Sequence, residues 1–320
     1  MEQKDITWMD YLKILIVIVI WGFNFVAIKI GLSGFPPLFM VAVRFFLVFF
    51  PAALFIKKPD IPARYLIVYG SFLGIGQFGL LFYAISIGLP TGLSSVLLQS
   101  QVVFTLIISG ILLKEKIARI QILGILISVF GVLYLGGLFH AGSRVPFFPF
   151  FLAILAAVCF GASNVSYRLI FDYNEAHAKT TDVTAILVWS AVYIPLPMVL
   201  ISLLVEKPGV IWAALTHLQS PAVISIAYSV LLSTFVAYGL WNRLISHFSA
   251  SRIAPFSLLV PIVGVYGAML FLDESVSGRQ VTGILITISG LLVANVGTRL
   301  IRSGKLTKLR QHHPSEKPLK

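Results

Sequence analysis

The sequence predicts an all-α membrane protein whose ten transmembrane helices form two inverted five-helix repeats. Three observations carry this. First, the 320 residues are 58% hydrophobic and only 11% charged, more apolar surface than one water-soluble core can hide. Second, apolar windows of about 20 residues, the length a helix rising 1.5 Å per residue needs to cross a bilayer, recur ten times along the chain. Third, the chain echoes itself. The stretch 88–133 joins two apolar runs by a turn bearing Lys114, Glu115, Lys116 and Arg119, and 270–292 repeats it without a gap at an offset of 159 (274 less 115). The offset pairs Glu115 with Glu274, Gln121 with Gln280, Gly124 with Gly283 and Gly131 with Gly290.

Taken in order, the first window, 12–32, is too long for a secretory signal and no small-residue cleavage site follows it, so it stays as a span. Gly34 with Pro36-Pro37 turns the chain into 38–57, Pro59 and Pro62 turn it into 65–88, and Pro90 with Gly92 opens 92–113. The charged turn leads into 118–138. The second half runs through 147–171, 183–205, 220–242, 250–272 and 279–298. Pro208-Gly209 and Ser220-Pro221 mark the turn before the eighth window. Pro255 and Pro261 lie in the ninth, where a missing N–H donor bends a helix. The units are therefore 1–138, 147–298 and a basic tail, 299–320. A second internal match, offset by 139 (160 less 21), sets Trp21-Gly22 through Lys29 against Phe160-Gly161 through Arg168.

The net charge of +12 sits between and after apolar runs rather than along one patch, which points to membrane topology and away from nucleic acid. With the N-terminus inside, only Arg144, Lys207 and Arg279 fall in outer loops, while Lys57, Lys58, Arg64, Lys114, Lys116, Arg119, Arg168, Lys179, Arg243, Arg252 and the tail cations fall inside. Both termini are therefore expected in the cytoplasm. Five spans is an odd number, so the turn at Glu115 lies inside and its copy at Glu274 outside. The halves are inverted.

Enzyme chemistry finds no foothold. The acids lie in tails, at turns or at helix ends, and His140, His177, His217, His247, His312 and His313 do likewise, so no mid-span base could activate a serine. No Walker-type loop exists. Cys159 is alone, which leaves neither a disulfide framework nor a thiolate metal site. No cofactor or metal is expected. What remains is uncharged polarity at mid-depth: Gln77 among Gly74, Gly76 and Gly79, Gln99 and Gln101 in the fourth window, and Asn24 and Asn164 in the matched first and sixth. Buried amides need partners in hydrocarbon, so each must face protein or a watery cavity. Residues two apart on a helix point about 200° apart, so Gln99 and Gln101 cannot share one cavity. Arg44, inside the second window, could attract a substrate carboxylate or rest on helix-end carbonyls. Trp21, Tyr83 and Tyr238 could line a pathway or anchor at the interface.

The segments WGFNFVAIKIGL at 21–32, VRFFLVFFPA at 43–52, GQFGLLFYAI at 76–85, LLQSQVVFT at 97–105 and RIAPFSLLVPIVG at 252–264 with LDE at 272–274 together resemble the EamA family of the drug/metabolite transporter superfamily. Within it the likeness runs toward bacterial exporters of cysteine and O-acetylserine. The resemblance covers all ten windows. It implies two inverted five-helix repeats around a central cavity, with Asn24, Gln77, Gln99, Gln101 and Asn164 in lining spans, and export of amino-acid metabolites across the bacterial inner membrane by alternating access. The expected partners are a zwitterionic amino-acid metabolite and the lipid bilayer, in a monomer or homodimer. Lacking a mid-span Asp, Glu or His, transport is expected to be facilitated or weakly coupled. Two other readings stay open at this point: a broad-range metabolite or drug exporter of the same superfamily, and a membrane metabolite sensor that does not transport.

Overall fold

The computed structural model describes residues 6–115, 117–136, 146–180, 182–248 and 250–294. The tail at 299–320, the end of the tenth window, His140, Arg144, His312 and His313 lie outside the described residues. Among the described residues the regular structure is helical, with no strand.

In chain order the apolar helices are α1 (Trp8–Gly31), α2 (Pro37–Leu54), α3 (Ala63–Ser86), α4 (Thr91–Leu112), α5 (Arg119–Leu135), α6 (Phe147–Ala176), α7 in two pieces (Val183–Ala191 and Pro195–Val205), α8 (Ser220–Ile245), α9 (Pro255–Leu272) and α10 (Gly278–Ala294). Seven are long and apolar enough to cross a bilayer, and the two pieces of α7, bent by 40°, make an eighth. α5 and α10 are shorter. The 17 residues of α5 rise about 26 Å, just under a hydrocarbon thickness of about 30 Å.

Polarity is arranged opposite to that of a water-soluble protein. Ser94, Ser95, Ser190, Ser229, Ser233 and Thr287 are buried, whereas Leu204 is 86% exposed and Ile111 71%. Lipid solvates such an apolar exterior, so burial of small residues rather than of large ones brings the helices together. Several inward hydroxyls return to carbonyls of the preceding turn, as Ser94 does to Pro90 O (2.9 Å) and Thr287 to Gly283 O (2.8 Å).

The matched turns agree in detail. Lys114 and Asp273 are both left-handed, with φ of 55° and 53°. The N–H of Glu115 reaches Ser109 O (3.5 Å) and that of Glu274 reaches Ala268 O (3.3 Å). Gln121 Oε1 accepts from Ala118 N (2.9 Å) and Gln280 Oε1 from Ser277 N (2.8 Å), so each glutamine caps the helix it begins. α5 and α10 then run antiparallel with backbones touching: Gly124 meets Ala294, Gly131 meets Thr287, Gly290 meets Ser128 and Gly283 meets Leu135. A side chain at Gly124 or Gly290 would strike the partner's backbone. Shifting each contact by 159 turns it into another of the set. In the same way Gly22 packs on Val263 and Gly264, and Gly161 on Phe104 and Thr105.

Helical winding departs from α in four central helices. α3 is π-helical over Ser71–Gly79 and α8 over Tyr228–Ala237. In α4 the bonds Gln99 N to Val96 O and Ser100 N to Leu97 O skip only three residues, and a 3-10 stretch, Ala254–Leu259, opens α9. Regular α-helix resumes at Gln101 in α4 and at Val260 in α9, once more 159 apart (260 less 101).

Side chains tie the two halves together at both ends. Glu206 accepts from the N–H groups of Leu38 (2.6 Å) and Phe39 (3.2 Å) at the start of α2, and also from the Ser202 hydroxyl. Glu274 accepts from Thr91 N (2.7 Å) and Gly92 N (2.9 Å) at the start of α4. A carboxylate at a helix N-terminus satisfies orphan donors and complements the helix dipole. At the opposite end Lys179 reaches the Asp60 carboxylate (2.7 Å) and carbonyl (2.8 Å). The Asp60 hydrogen bond holds the Lys179 ammonium above its ordinary pKa, so this tie is intact at neutral pH and loosens only as pH climbs past that raised value.

Candidate functional site

Two turns into α2, Arg44 points inward and is 2% exposed. Its guanidinium carbon lies 4.2 Å from the centroid of the Phe78 ring and 5.8 Å from that of Phe45. Nη2 donates to Thr234 Oγ1 over a long 3.5 Å, while Nε and Nη1 have no acceptor. Among the described residues no carboxylate pairs with this cation. A desolvated charge so poorly satisfied is costly, and cation-π contact with Phe78 offsets only part of it, about 2 kcal/mol.

Aromatic rings of four further helices form a linked set that reaches the cation through Phe78 and Tyr238. Tyr238 of α8 is its electrostatic neighbour and lies edge-on to Trp21 of α1, centroids 5.1 Å apart. Trp21 also meets Trp241 (5.2 Å) and donates its indole N–H to Ser233 O (3.1 Å). Tyr69 of α3 packs against Tyr167 of α6 (5.8 Å) and feels Tyr238. The site is thus assembled from α1, α2, α3, α6 and α8.

Of the residues singled out in the sequence, Trp21 and Tyr238 are in contact and Tyr238 is the electrostatic neighbour of Arg44. Gln77 is 3% exposed, and its Oε1 has no partner. Asn24 accepts from Ser229 Oγ (2.9 Å), tying α1 to α8. Gln101 and Asn164 find each other: Asn164 Nδ2 donates to Gln101 Oε1 (2.6 Å) and to Thr105 Oγ1 (3.2 Å), across α4 and α6. Gln99 turns the other way, its Nε2 donating to Ser257 O (2.8 Å) in the 3-10 stretch of α9. Tyr83 sits between two apolar clusters, touching both. A surface depression of about 370 Å³ is lined by Gly34, Pro36, Pro37, Ala213, His217 and Gln219 among others, and holds none of these residues.

Sequence reasoning did not select Tyr69, Tyr167, Phe78 or Thr234. The signal for Tyr69 was present: Tyr69, Leu73 and Gln77 recur every four residues, which places them on one helix face. Chemically, a planar cation in a dry aromatic setting with Nε and Nη1 lacking acceptors suits a carboxylate, which can pair with Nη2 and one of these two nitrogens at once.

The EamA-like transporter family matches this chain twice, over residues 8–137 and 147–296. The chain belongs to that family. Its relatives include proteins called "probable amino-acid metabolite efflux pump" in Salmonella typhimurium, 36% identical over 92% of this chain and 97% of that one, and in Escherichia coli, 34% identical over 93% and 98%. An uncharacterized transporter of Bacillus subtilis is 26% identical over 88% and 95%. A crystal structure with a TM-score of 0.56 and 16% identity, covering 90% of this chain and 97% of that one, shares its fold. This EamA-like transporter is accordingly a multi-pass membrane protein that takes a small-molecule substrate.

Proposed function

We propose that this EamA-like transporter exports small zwitterionic amino-acid metabolites, of the cysteine and O-acetylserine class, across the inner membrane. The single observation that carries this is the buried Arg44 guanidinium with two unpartnered nitrogens, lying on the Phe78 ring with Tyr238 as its electrostatic neighbour. A structural arginine would be paired. One held open for a carboxylate would not. The names of the relatives in Salmonella typhimurium and Escherichia coli, amino-acid metabolite efflux pumps, support the broader substrate class.

The mechanism follows from the two halves, 1–138 and 147–298, read as inverted repeats that expose the site to each face in turn, with both termini in the cytoplasm. The turn geometry, caps and glycine contacts that recur at an offset of 159 support this, as does the break in α-helical winding in α3, α4, α8 and α9 at comparable positions. Carriers place such irregular backbone where a midplane site is built. Asn24, Gln77, Gln101 and Asn164, with Tyr83, complete the polar lining in this reading, Gln99 bracing α4 against Ser257 O instead, and no proton relay is invoked.

Counterflow in proteoliposomes tests it. Labelled O-acetylserine or cysteine should accumulate transiently against a preloaded unlabelled pool, and should do so whether or not a pH gradient is imposed. No counterflow with any amino acid would remove the exporter reading, and collapse on abolishing the gradient would remove the uncoupled one.

A further inference from the structure

Gln77 holds the second orphan of this neighbourhood, and its chemistry is opposite to that of Arg44. Its carbonyl Oε1 is buried without a hydrogen-bond partner, a condition that native interiors rarely leave without a use. Gln77 is the chain neighbour of Phe78, on whose ring the Arg44 cation lies. It also shares a face of α3 with Tyr69, two turns earlier, and that residue packs against Tyr167. α3 therefore carries an unpaired acceptor at the residue next in the chain to the ring on which the unpaired donors lie. A simple monoanion would satisfy only the donors.

Resting on the exporter reading above, we propose that Gln77 is a specificity-determining residue: its carbonyl accepts from the substrate's α-ammonium while Arg44 holds the α-carboxylate, so that free α-amino acids are carried and N-acylated ones refused. An acylated nitrogen has lost its charge and all but one of its hydrogens. The electron-rich faces of Trp21, Tyr69 and Tyr238 favour the same ammonium. The neutral amide also explains the absence of an acid at this position. A carboxylate at 77 would pair with Arg44 in the empty site and compete with the substrate's own carboxylate.

O-acetyl-L-serine and N-acetyl-L-serine are isomers that differ in this one respect, and at about pH 6 the protonated amine, whose pKa is about 8, does not undergo acyl migration. With labelled O-acetylserine in counterflow, the unlabelled O-isomer should compete about tenfold better than the N-isomer, the worth of one hydrogen bond to a charged group. Gln77→Met, which keeps the volume and removes the acceptor, should bring the two within about twofold by weakening the O-isomer alone. Arg44→Gln should weaken both. A wild-type ratio near one overturns the proposal even if the variant fails to fold, and so does an equal weakening of both isomers by Gln77→Met. Absence of counterflow with every amino acid has a different signature, and it removes the exporter reading on which this one rests.

Discussion

A guanidinium that is 2% exposed with two nitrogens unpartnered works against the stability of the chain that carries it, and this gives function a signature separable from structure. Arg44→Leu replaces an unpaired buried charge by apolar volume, a change that is often neutral or stabilising. The account therefore expects its thermal midpoint in detergent to hold or rise while transport falls by tenfold or more. Arg44→Lys should recover little, because a lysine cannot offer two parallel N–H groups to one carboxylate. A variant that lost stability along with activity would place Arg44 among the structural residues. At this scale the sequence singled out the polar members of the proposed site and passed over most of the aromatic ones. Arg44 and Gln77 stand out because charge and amide groups are rare at mid-depth, whereas Tyr69 and Tyr167 look like any other membrane tyrosine until the fold sets them against each other. Gln99 shows the converse: conspicuous in sequence, it serves as a strut to Ser257 O.

Among the elements, existence was legible and winding was not. Apolar length alone marks out α1 to α4, because a run of about 20 residues without charge has few alternatives to a helix in a bilayer. Whether a turn closes on i−3, i−4 or i−5 depends on how neighbours crowd the backbone, and nothing in SFLGIGQFG by itself requires the π-helix found over Ser71–Gly79. The caps by Glu206 and Glu274 were hidden for a similar reason, since each carboxylate serves a helix far away in sequence. Their roles can be measured. Glu274→Ala leaves the Thr91 and Gly92 N–H groups of α4 without their acceptor and should cost about 1–3 kcal/mol, read as a lower thermal midpoint. Glu274→Gln, which keeps one acceptor, should lose less. Equal stability of all three proteins would mean that water or lipid headgroups replace the carboxylate.

For the whole molecule, one relation accounts for the most observations: residues 159 apart share left-handed backbone at Lys114 and Asp273, glutamine caps at Gln121 and Gln280, and mutual glycine contacts between α5 and α10. That relation was visible in the sequence as the paired Glu115 and Glu274, because a turn and its capping residues must be repeated in kind wherever the turn is reused. The opposite orientation proposed for the copies rests on the distribution of Lys and Arg. Residue patterns could not supply the close approach of α5 to α10, in which each glycine fits only against a particular partner backbone. If the copies are inverted, the Glu115 turn faces the cytoplasm and the start of α10 faces outward, and the Arg44 site can be offered to either side.

The most direct measurement of that claim is the sidedness of two engineered thiols in a Cys159→Ser background, at Glu115, which is exposed, and at Gly278, where a side chain meets open space. A membrane-impermeant maleimide applied to intact cells should label Gly278→Cys at once and Glu115→Cys only after the membrane is opened. Labelling of both from the same side would contradict the inverted arrangement, and with it the alternating exposure of the site around Arg44.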